Sequence, residues 1–238
     1  MSTLPESPEL PELPFPTPAR QAPHGSGLAV FGGTFDPVHF GHLRTAVEVR
    51  QALRVGRVKL VPAGVPAHRQ MPGTTAAQRL EMLHLSVQGL AYLEVDDREI
   101  RRGGTSYMID TLASMRDEAG PDVPVSLVLG VDAFALIHEW HRWEGLLALA
   151  HLVILGRPGA GLVMNKAVTA WTRDRWVAAE QLQHQAAGLV CELQLTQLAI
   201  SATAIRRLLR VGESVDFLLP QAVIDYIRRE GLYTSAGA

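Results

Sequence analysis

The sequence predicts an α/β fold: a doubly wound parallel sheet with a C-terminal helical segment. Three observations predict it. Short apolar runs at 28–31, 57–62, 92–96, 125–130, 151–155 and 189–195 alternate with stretches whose apolar residues fall three and four positions apart. Strand–helix alternation of this kind implies a parallel sheet covered by helices on both faces. The chain has 238 residues, 47% of them hydrophobic, enough to bury a substantial core. The first 26 residues differ sharply, with prolines every few positions up to Pro23.

Proline fixes φ and removes a backbone donor, so residues 1–26 cannot build a ladder or a helix and read as a disordered, Pro-rich tail. Residues 27–238 read as a single domain. The run Leu28-Ala29-Val30-Phe31 is the first strand, ended by Gly32-Gly33. Leu43, Val47 and Leu53 mark the first helix, and Leu80, Leu83 and Val87 the next. Ile109, Leu112, Ala113 and Met115 mark another, with Gly120 as its stop. Trp140 and Trp143 are spaced as on one helix, and Trp171 and Trp176 sit in a further helical stretch as packing residues. A final helix has Pro220 in its first turn and Gly231 at its end.

Composition excludes several classes. A net charge of −2 with 19% charged residues offers no basic face for general nucleic-acid binding. The single cysteine, Cys191, rules out an internal disulfide framework and a Cys-based metal cluster; in its apolar run it reads as a small buried residue. No apolar run approaches the roughly 20 residues that span a bilayer, and the N-terminus lacks the pattern of a secretory signal. The expected location is the cytoplasm, and the sequence does not define an oligomeric state.

In doubly wound sheets, ligands sit beyond the carboxyl ends of the strands. The segment after the first strand is Gly32-Gly33-Thr34-Phe35-Asp36-Pro37-Val38-His39-Phe40-Gly41-His42. Paired glycines allow close backbone approach, and Pro37 stiffens the turn. His39 and His42 fall three apart as a helix begins, so both can face one side, beside the free N–H groups and partial positive charge of its terminus. That arrangement suits phosphate oxygens. A helix cap and a zinc site are the alternatives, although zinc wants three or four protein ligands and no third is nearby. The Gly-Lys-Ser/Thr ending of a Walker loop is missing. Late in the chain, Ile200-Ser201-Ala202-Thr203-Ala204-Ile205-Arg206 carries Ser and Thr just before an apolar-periodic run, which taken alone is a capped amphipathic helix. Arg206 stands about one turn in, within reach of a phosphate bound at that terminus.

Together these segments resemble the nucleotidyltransferase superfamily of adenylyltransferases, with its Phe-Asp-Pro…His-x-Gly-His loop and its late Ile-Ser-x-Thr-x-Ile-Arg segment. Gly130-Val131-Asp132, Trp140-His141-Arg142-Trp143, Gly156-Arg157-Pro158-Gly159, Pro66-Ala67-His68-Arg69 and Thr105-Ser106-Tyr107-Met108 narrow the likeness to bacterial nicotinate-nucleotide adenylyltransferases, over roughly residues 28–233. Two departures stand out. Pro66-Ala67-His68-Arg69 replaces the family's frequent Pro-Pro-His-Lys, and Met108 stands where a threonine is frequent.

The resemblance implies a Rossmann-like fold and transfer of AMP from ATP to nicotinate mononucleotide, giving deamido-NAD and pyrophosphate. The rival acceptors are nicotinamide mononucleotide and pantetheine phosphate. It implies catalytic roles for His42, His39 and Arg206. ATP would be held by Gly32, Gly33, Thr34, Phe35, His39, His42, Gly130, Asp132, Ile200, Ser201, Thr203 and Arg206. The acceptor would be held by Arg69, Thr105, Tyr107, Trp140, His141 and Arg157, with Trp140 stacking on the pyridine ring. Mg²⁺ is expected with ATP, held by phosphate oxygens and water rather than by a protein cage.

Overall fold

The computed structural model describes residues 25–66, 73–156 and 164–234. Most of the tail reading, and the expectations for Arg69 and Arg157, lie outside the described residues. In chain order the elements are β1 (Gly25–Gly33), α1 (Phe40–Leu53), β2 (Val55–Pro62), β3 (Val65–Pro66), α2 (Ala76–Ser86), β4 (Leu93–Val95), α3 (Arg98–Arg102), β5 (Thr105–Ser106), α4 (Met108–Ala119), β6 (Val125–Gly130) and α5 (Val131–Ala135). Then come α6 (Leu146–Leu149), β7 (His151–Gly156), α7 (Lys166–Thr172), β8 (Val190–Gln194), α8 (Ala202–Arg210) and α9 (Gln221–Arg229). Short 3₁₀ turns occupy Ile137–Glu139, Trp143–Gly145 and Ala179–His184.

All six strands expected from the sequence form one sheet, in the order β4-β2-β1-β6-β7-β8, with every pairing parallel. The chain builds outward from β1 through β2 to β4, then returns to β6 on the other side of β1. That reversal creates the crevice where the loops after β1 and β6 diverge. β1 itself starts at Gly25, two residues inside the stretch read as tail.

Side chains of a strand alternate between faces, and both faces of this sheet are buried. Ala29, Val58, Leu60, Val128, Val153 and Cys191 pack with α1, α2, α8 and α9. Leu28, Val30, Leu127, Leu129, Leu152 and Ile154 pack with α4, α5, α6 and α7 on the opposite face. Each fully buried aliphatic side chain contributes on the order of 1.5–3 kcal/mol. Cys191 is buried on β8, as its apolar surroundings predicted, and burial pushes its thiol up to about 12. His151, likewise wholly buried, spans the β7–β8 region: its Nδ1 accepts from Leu189 N–H at 3.1 Å and its Nε2 lies 2.9 Å from the Gln185 carbonyl.

Helix ends follow the local chemistry. α4 stops at Gly120, whose φ of 90° suits glycine. Ser201 caps α8, its side chain accepting from Ala204 N–H at 3.2 Å. Pro220 caps α9 from just outside rather than sitting in its first turn. Two helical expectations fail. Trp140 and Trp143 do not share a helix: Arg142 is left-handed at φ 52°, so the chain turns between them. Trp176 lies beyond α7, where it makes an isolated bridge with Val190. In both places apolar spacing mimicked a helical period that the tight turns do not have.

Candidate active site

The loop after β1 places its aromatic residues before its polar ones. Phe35 adopts φ 51° and turns its ring inward, 2% exposed, edge-on to Phe31 at 6.0 Å and to His42 at 5.0 Å. Its side chain therefore forms the floor under the loop and presents no face outward. A Cβ on Gly33 would stand 2.9 Å from the Phe35 ring, and one on Gly32 would stand 2.8 Å from Met108 Cε. Gly33 is thus required by the buried Phe35 ring and Gly32 leaves space that the Met108 thioether fills, whereas a Cβ on Gly130 would meet nothing, leaving the end of β6 open.

His39 is the N-cap position of α1 and His42 is its third residue. Their rings stack, with centroids 3.7 Å apart and planes 28° apart. The His39 backbone N–H donates to His42 Nδ1 at 3.3 Å. An imidazole that accepts at Nδ1 carries its proton at Nε2, so neutral His42 offers an N–H donor there. Gly41 makes the stack possible, because a Cβ there would lie 2.9 Å from His39 Nδ1. His39 is 5% exposed, and burial lowers its pKa from 6.5 to about 4. His39 is therefore held neutral, and its buried Nδ1 has no hydrogen-bond partner among the described residues. His42 is half-buried and His39 is enclosed.

The late motif arrives at the same place. The Ile200 carbonyl oxygen lies 3.5 Å from where a Gly41 Cβ would be. Arg206 Nη1 donates to the Asp36 carbonyl at 2.6 Å, and Nη2 to Thr203 Oγ1 at 3.3 Å. The Asp36 carboxylate accepts from Thr74 Oγ1 at 2.6 Å, Tyr233 Oη at 2.7 Å and Gly73 N–H at 3.1 Å, and lies 3.8 Å from Arg206. Asp36 therefore ties the loop to the start of α2 and to the segment beyond α9. Burial, with the Asp36 hydrogen bond next, raises the Tyr233 hydroxyl well above the usual phenol range. Sequence reasoning missed this hub, although the Asp of Phe35-Asp36-Pro37 was a signal in plain view.

Arg79 was also missed. It is 1% exposed, donating from Nη1 to the Thr34 carbonyl at 2.9 Å and from Nη2 to the Gly64 carbonyl at 3.0 Å. It thus links the loops that follow β1 and β2. On α2 it reads in the sequence as an ordinary surface cation.

On the other side of the crevice, Thr105 lies on β5 and Tyr107 is the N-cap of α4. The Tyr107 and His141 rings meet at 4.4 Å, and Arg142 reaches Asp110 at 3.5 Å. Trp140 is half-buried against the α4–α7 face of the core, while Trp143 packs edge-on to Trp171 at 4.7 Å. Of the expected acceptor residues, Thr105, Tyr107, Trp140 and His141 are brought to neighbouring segments. Met108 connects them to the phosphate loop through its contact with Gly32. Asp132 is exposed in the first turn of α5, beside Gly130. Among the described residues no three His, Cys, Asp or Glu are grouped to hold a metal ion, and no helix is long and apolar enough to cross a membrane.

The cytidylyltransferase-like family model matches residues 30–208, a span that includes both motifs. A protein of Marinobacter nauticus named "Probable nicotinate-nucleotide adenylyltransferase" is 45% identical over 205 residues, covering 86% of this chain and 95% of that protein. A Pseudomonas aeruginosa protein of the same name is 43% identical over 209 residues, covering 88% and 98%. In fold, the chain is similar to the Plasmodium falciparum nicotinic acid mononucleotide adenylyltransferase complexed with NaAD, with a TM-score of 0.66 at 17% identity, covering 88% of this chain and 98% of that one. A family match that spans both motifs, with relatives of this identity and coverage, settles the assignment: the chain belongs to the cytidylyltransferase-like family and, within it, to the nicotinate-nucleotide adenylyltransferases.

Proposed function

We propose that the chain transfers AMP from ATP to nicotinate mononucleotide, forming deamido-NAD and pyrophosphate. The observation that supports this reading is that the two motifs meet: the Ile200 carbonyl before α8 lies against Gly41, between the stacked His39 and His42, and Arg206 bonds the Asp36 carbonyl. Relatives named for this reaction, at 45% and 43% identity, support it.

The acceptor's phosphate oxygen forms a bond to the α-phosphorus of ATP as the bond from that phosphorus to the bridging oxygen breaks, and the electron pair leaves with pyrophosphate. The attacking oxygen is already anionic, so no side chain needs to remove a proton. Positioning and charge stabilisation then supply the rate. His42 donates from Nε2 to a phosphate oxygen and stabilises charge as pyrophosphate departs. Neutral His39 holds the His42 ring in place by stacking. Arg206 holds β- and γ-phosphate oxygens with the donors its contacts to Asp36 and Thr203 leave free, helped by Ser201, Thr203 and the amides at the start of α8.

Gly32, Gly33, Thr34, Phe35 and Ile200 shape the phosphate loop. Open space at Gly130 leaves room for the nucleotide, and Asp132 accepts from ribose hydroxyls. Thr105, Tyr107, Trp140 and His141 receive the acceptor, Trp140 by stacking on the pyridine ring. Arg69 and Arg157 add cations for its phosphate.

Mg²⁺ fits as the ion that accompanies ATP. The Asp36 carboxylate already accepts from Thr74, Tyr233 and Gly73, and Asp132 is given to the ribose, so a Mg²⁺ ion arriving with ATP would be held by phosphate oxygens and water rather than by protein ligands. When bound it neutralises triphosphate charge. The buried, unbridged thiol of Cys191 suits work in the reducing cytoplasm.

One observation favours testing a second acceptor. Met108 places a thioether, with no hydroxyl, against Gly32, so nicotinamide mononucleotide is the rival. Incubation with ATP, Mg²⁺ and either mononucleotide, followed by mass identification of the dinucleotide, tests the reading. Deamido-NAD as the main product supports it, and NAD as the main product replaces it with the rival.

A further inference from the structure

Glu99 is a buried carboxylate that the proposed chemistry does not use. It is 4% exposed on α3, away from the phosphate loop. Burial raises its pKa, an effect opposed by hydrogen bonds from Thr111 and Ser106 and by the charge of Arg102. Burying an ionisable group costs free energy that an apolar residue would avoid, so its partners must account for it.

Those partners form a chain. Thr111 Oγ1, on α4, donates to Glu99 Oε1 at 2.7 Å. Ser106, on β5, stands beside the same carboxylate, where its hydroxyl helps hold the charge. Ser106 Oγ in turn accepts from the Gly64 N–H at 2.9 Å. The carbonyl of Gly64 accepts from Arg79 Nη2, whose other nitrogen holds Thr34 in the phosphate loop. One small residue, Gly64, is thus held at its N–H by the Ser106 hydroxyl and at its carbonyl by the buried Arg79. It has no room for a side chain, since a Cβ would stand 2.9 Å from the Glu99 carbonyl oxygen. Above this chain β3 and β5 pair in parallel, Val65 with Thr105 and Pro66 with Ser106.

An ionised carboxylate only accepts, so it can face hydroxyls on both β5 and α4 without presenting a donor to either. Tyr107 is the cap residue between those two elements, and Thr105 precedes Ser106. Fixing Ser106 and Thr111 to one rigid acceptor therefore fixes the peptide that runs between them.

We propose that Glu99 is a positioning residue for the acceptor nucleotide: bonded to Thr111 and set against Ser106 and Gly64, it fixes the orientation of residues 105–107 relative to the loop after β1. The inference rests on the proposed function, in which this segment receives the acceptor.

The test uses the full chain with Glu99→Gln. The amide keeps the volume but can accept on one oxygen only, and its NH₂ confronts the other hydroxyl. The KM for nicotinate mononucleotide is expected to rise about tenfold, the equivalent of one hydrogen bond to a charged group, with kcat and the KM for ATP within about twofold. Ser106→Ala, which breaks the same link from the other end, is expected to act in the same direction, and the double variant less than additively. Should Glu99→Gln fail to fold, Ser106→Ala carries the same prediction alone. An equal change in both KM values, or none in the acceptor KM, overturns the inference while leaving the proposed function standing. A wild-type chain that makes no dinucleotide from either pyridine mononucleotide overturns both.

Discussion

Arg206 and Asp36 are 170 residues apart in sequence, yet the guanidinium donates to the Asp36 carbonyl oxygen at 2.6 Å. That bond joins the two motifs into one site. It also leaves part of a planar fork of donors for a phosphate, a division of labour that an ammonium cannot reproduce. Arg206→Lys is therefore expected to lose nearly as much as Arg206→Ala. Both should lower kcat/KM for ATP by about 30- to 1000-fold, in the range of one charge-stabilising contact. Steady-state kinetics at varied ATP checks this, and a Lys variant within a few-fold of wild type would refute the division.

His42→Ala is expected to lower kcat by about 100-fold or more and to cost about 1 kcal/mol of stability, the worth of its bond from the His39 N–H at the start of α1. Gly41→Ala provides a sharper test. Its Cβ would meet the His39 ring at 2.9 Å and displace the ring stacked on His42. Activity should fall toward that of His42→Ala, with a stability loss of about 1–3 kcal/mol. An active Gly41→Ala would contradict the stacked arrangement as the working one.

The pKa of His39 gives stability a specific pH dependence. In the folded chain it protonates at about 4, and in the unfolded chain at the ordinary 6.5. As pH falls through 6.5 the unfolded state takes up a proton that the folded state refuses, so stability is lost progressively down to about pH 4. The loss is up to ~3 kcal/mol. Urea midpoints at pH 7 and pH 5 should differ less in His39→Gln than in wild type. His151, also lowered by burial, titrates in both and cancels in the comparison. Equal differences in the two proteins would remove His39 from the account.

Tyr233→Phe deletes one of the three donors to the Asp36 carboxylate and leaves Thr74 and Gly73 in place. The expected cost is about 1.5–3 kcal/mol, the worth of a hydrogen bond to a charged acceptor. Because Asp36 also carries Arg206, the KM for ATP should rise in parallel. A variant as stable as wild type would show that the segment beyond α9 does not brace the loop.

The parts of this molecule that were legible in its sequence are those encoded by local periodicity. Six strands and the helices marked by Leu43, Leu83, Leu112 and Pro220 appear where apolar spacing put them, because burial on both sheet faces leaves a strong pattern. Spacing misled at Trp140 and Trp143, where a left-handed Arg142 breaks the helix that the period suggested. The pairing of β3 with β5 involves two residues each and leaves no periodic trace. At the site, the two motifs announced themselves, but the supporting residues did not. Arg79, Glu99 and Tyr233 look like surface residues in a linear reading. Their burial depends on the Thr34 and Gly64 carbonyls, on the Ser106 and Thr111 hydroxyls and on Asp36, which only the fold brings within reach. Phe35 and His39 were read as ligand-facing, and the structure turns both inward.

The central claim is tested most directly by pyrophosphate release from ATP and Mg²⁺ with three acceptors in parallel: nicotinate mononucleotide, nicotinamide mononucleotide and pantetheine phosphate. The account predicts the highest kcat/KM with nicotinate mononucleotide and no turnover with pantetheine phosphate. Turnover with pantetheine phosphate alone, or with none of the three, would contradict it.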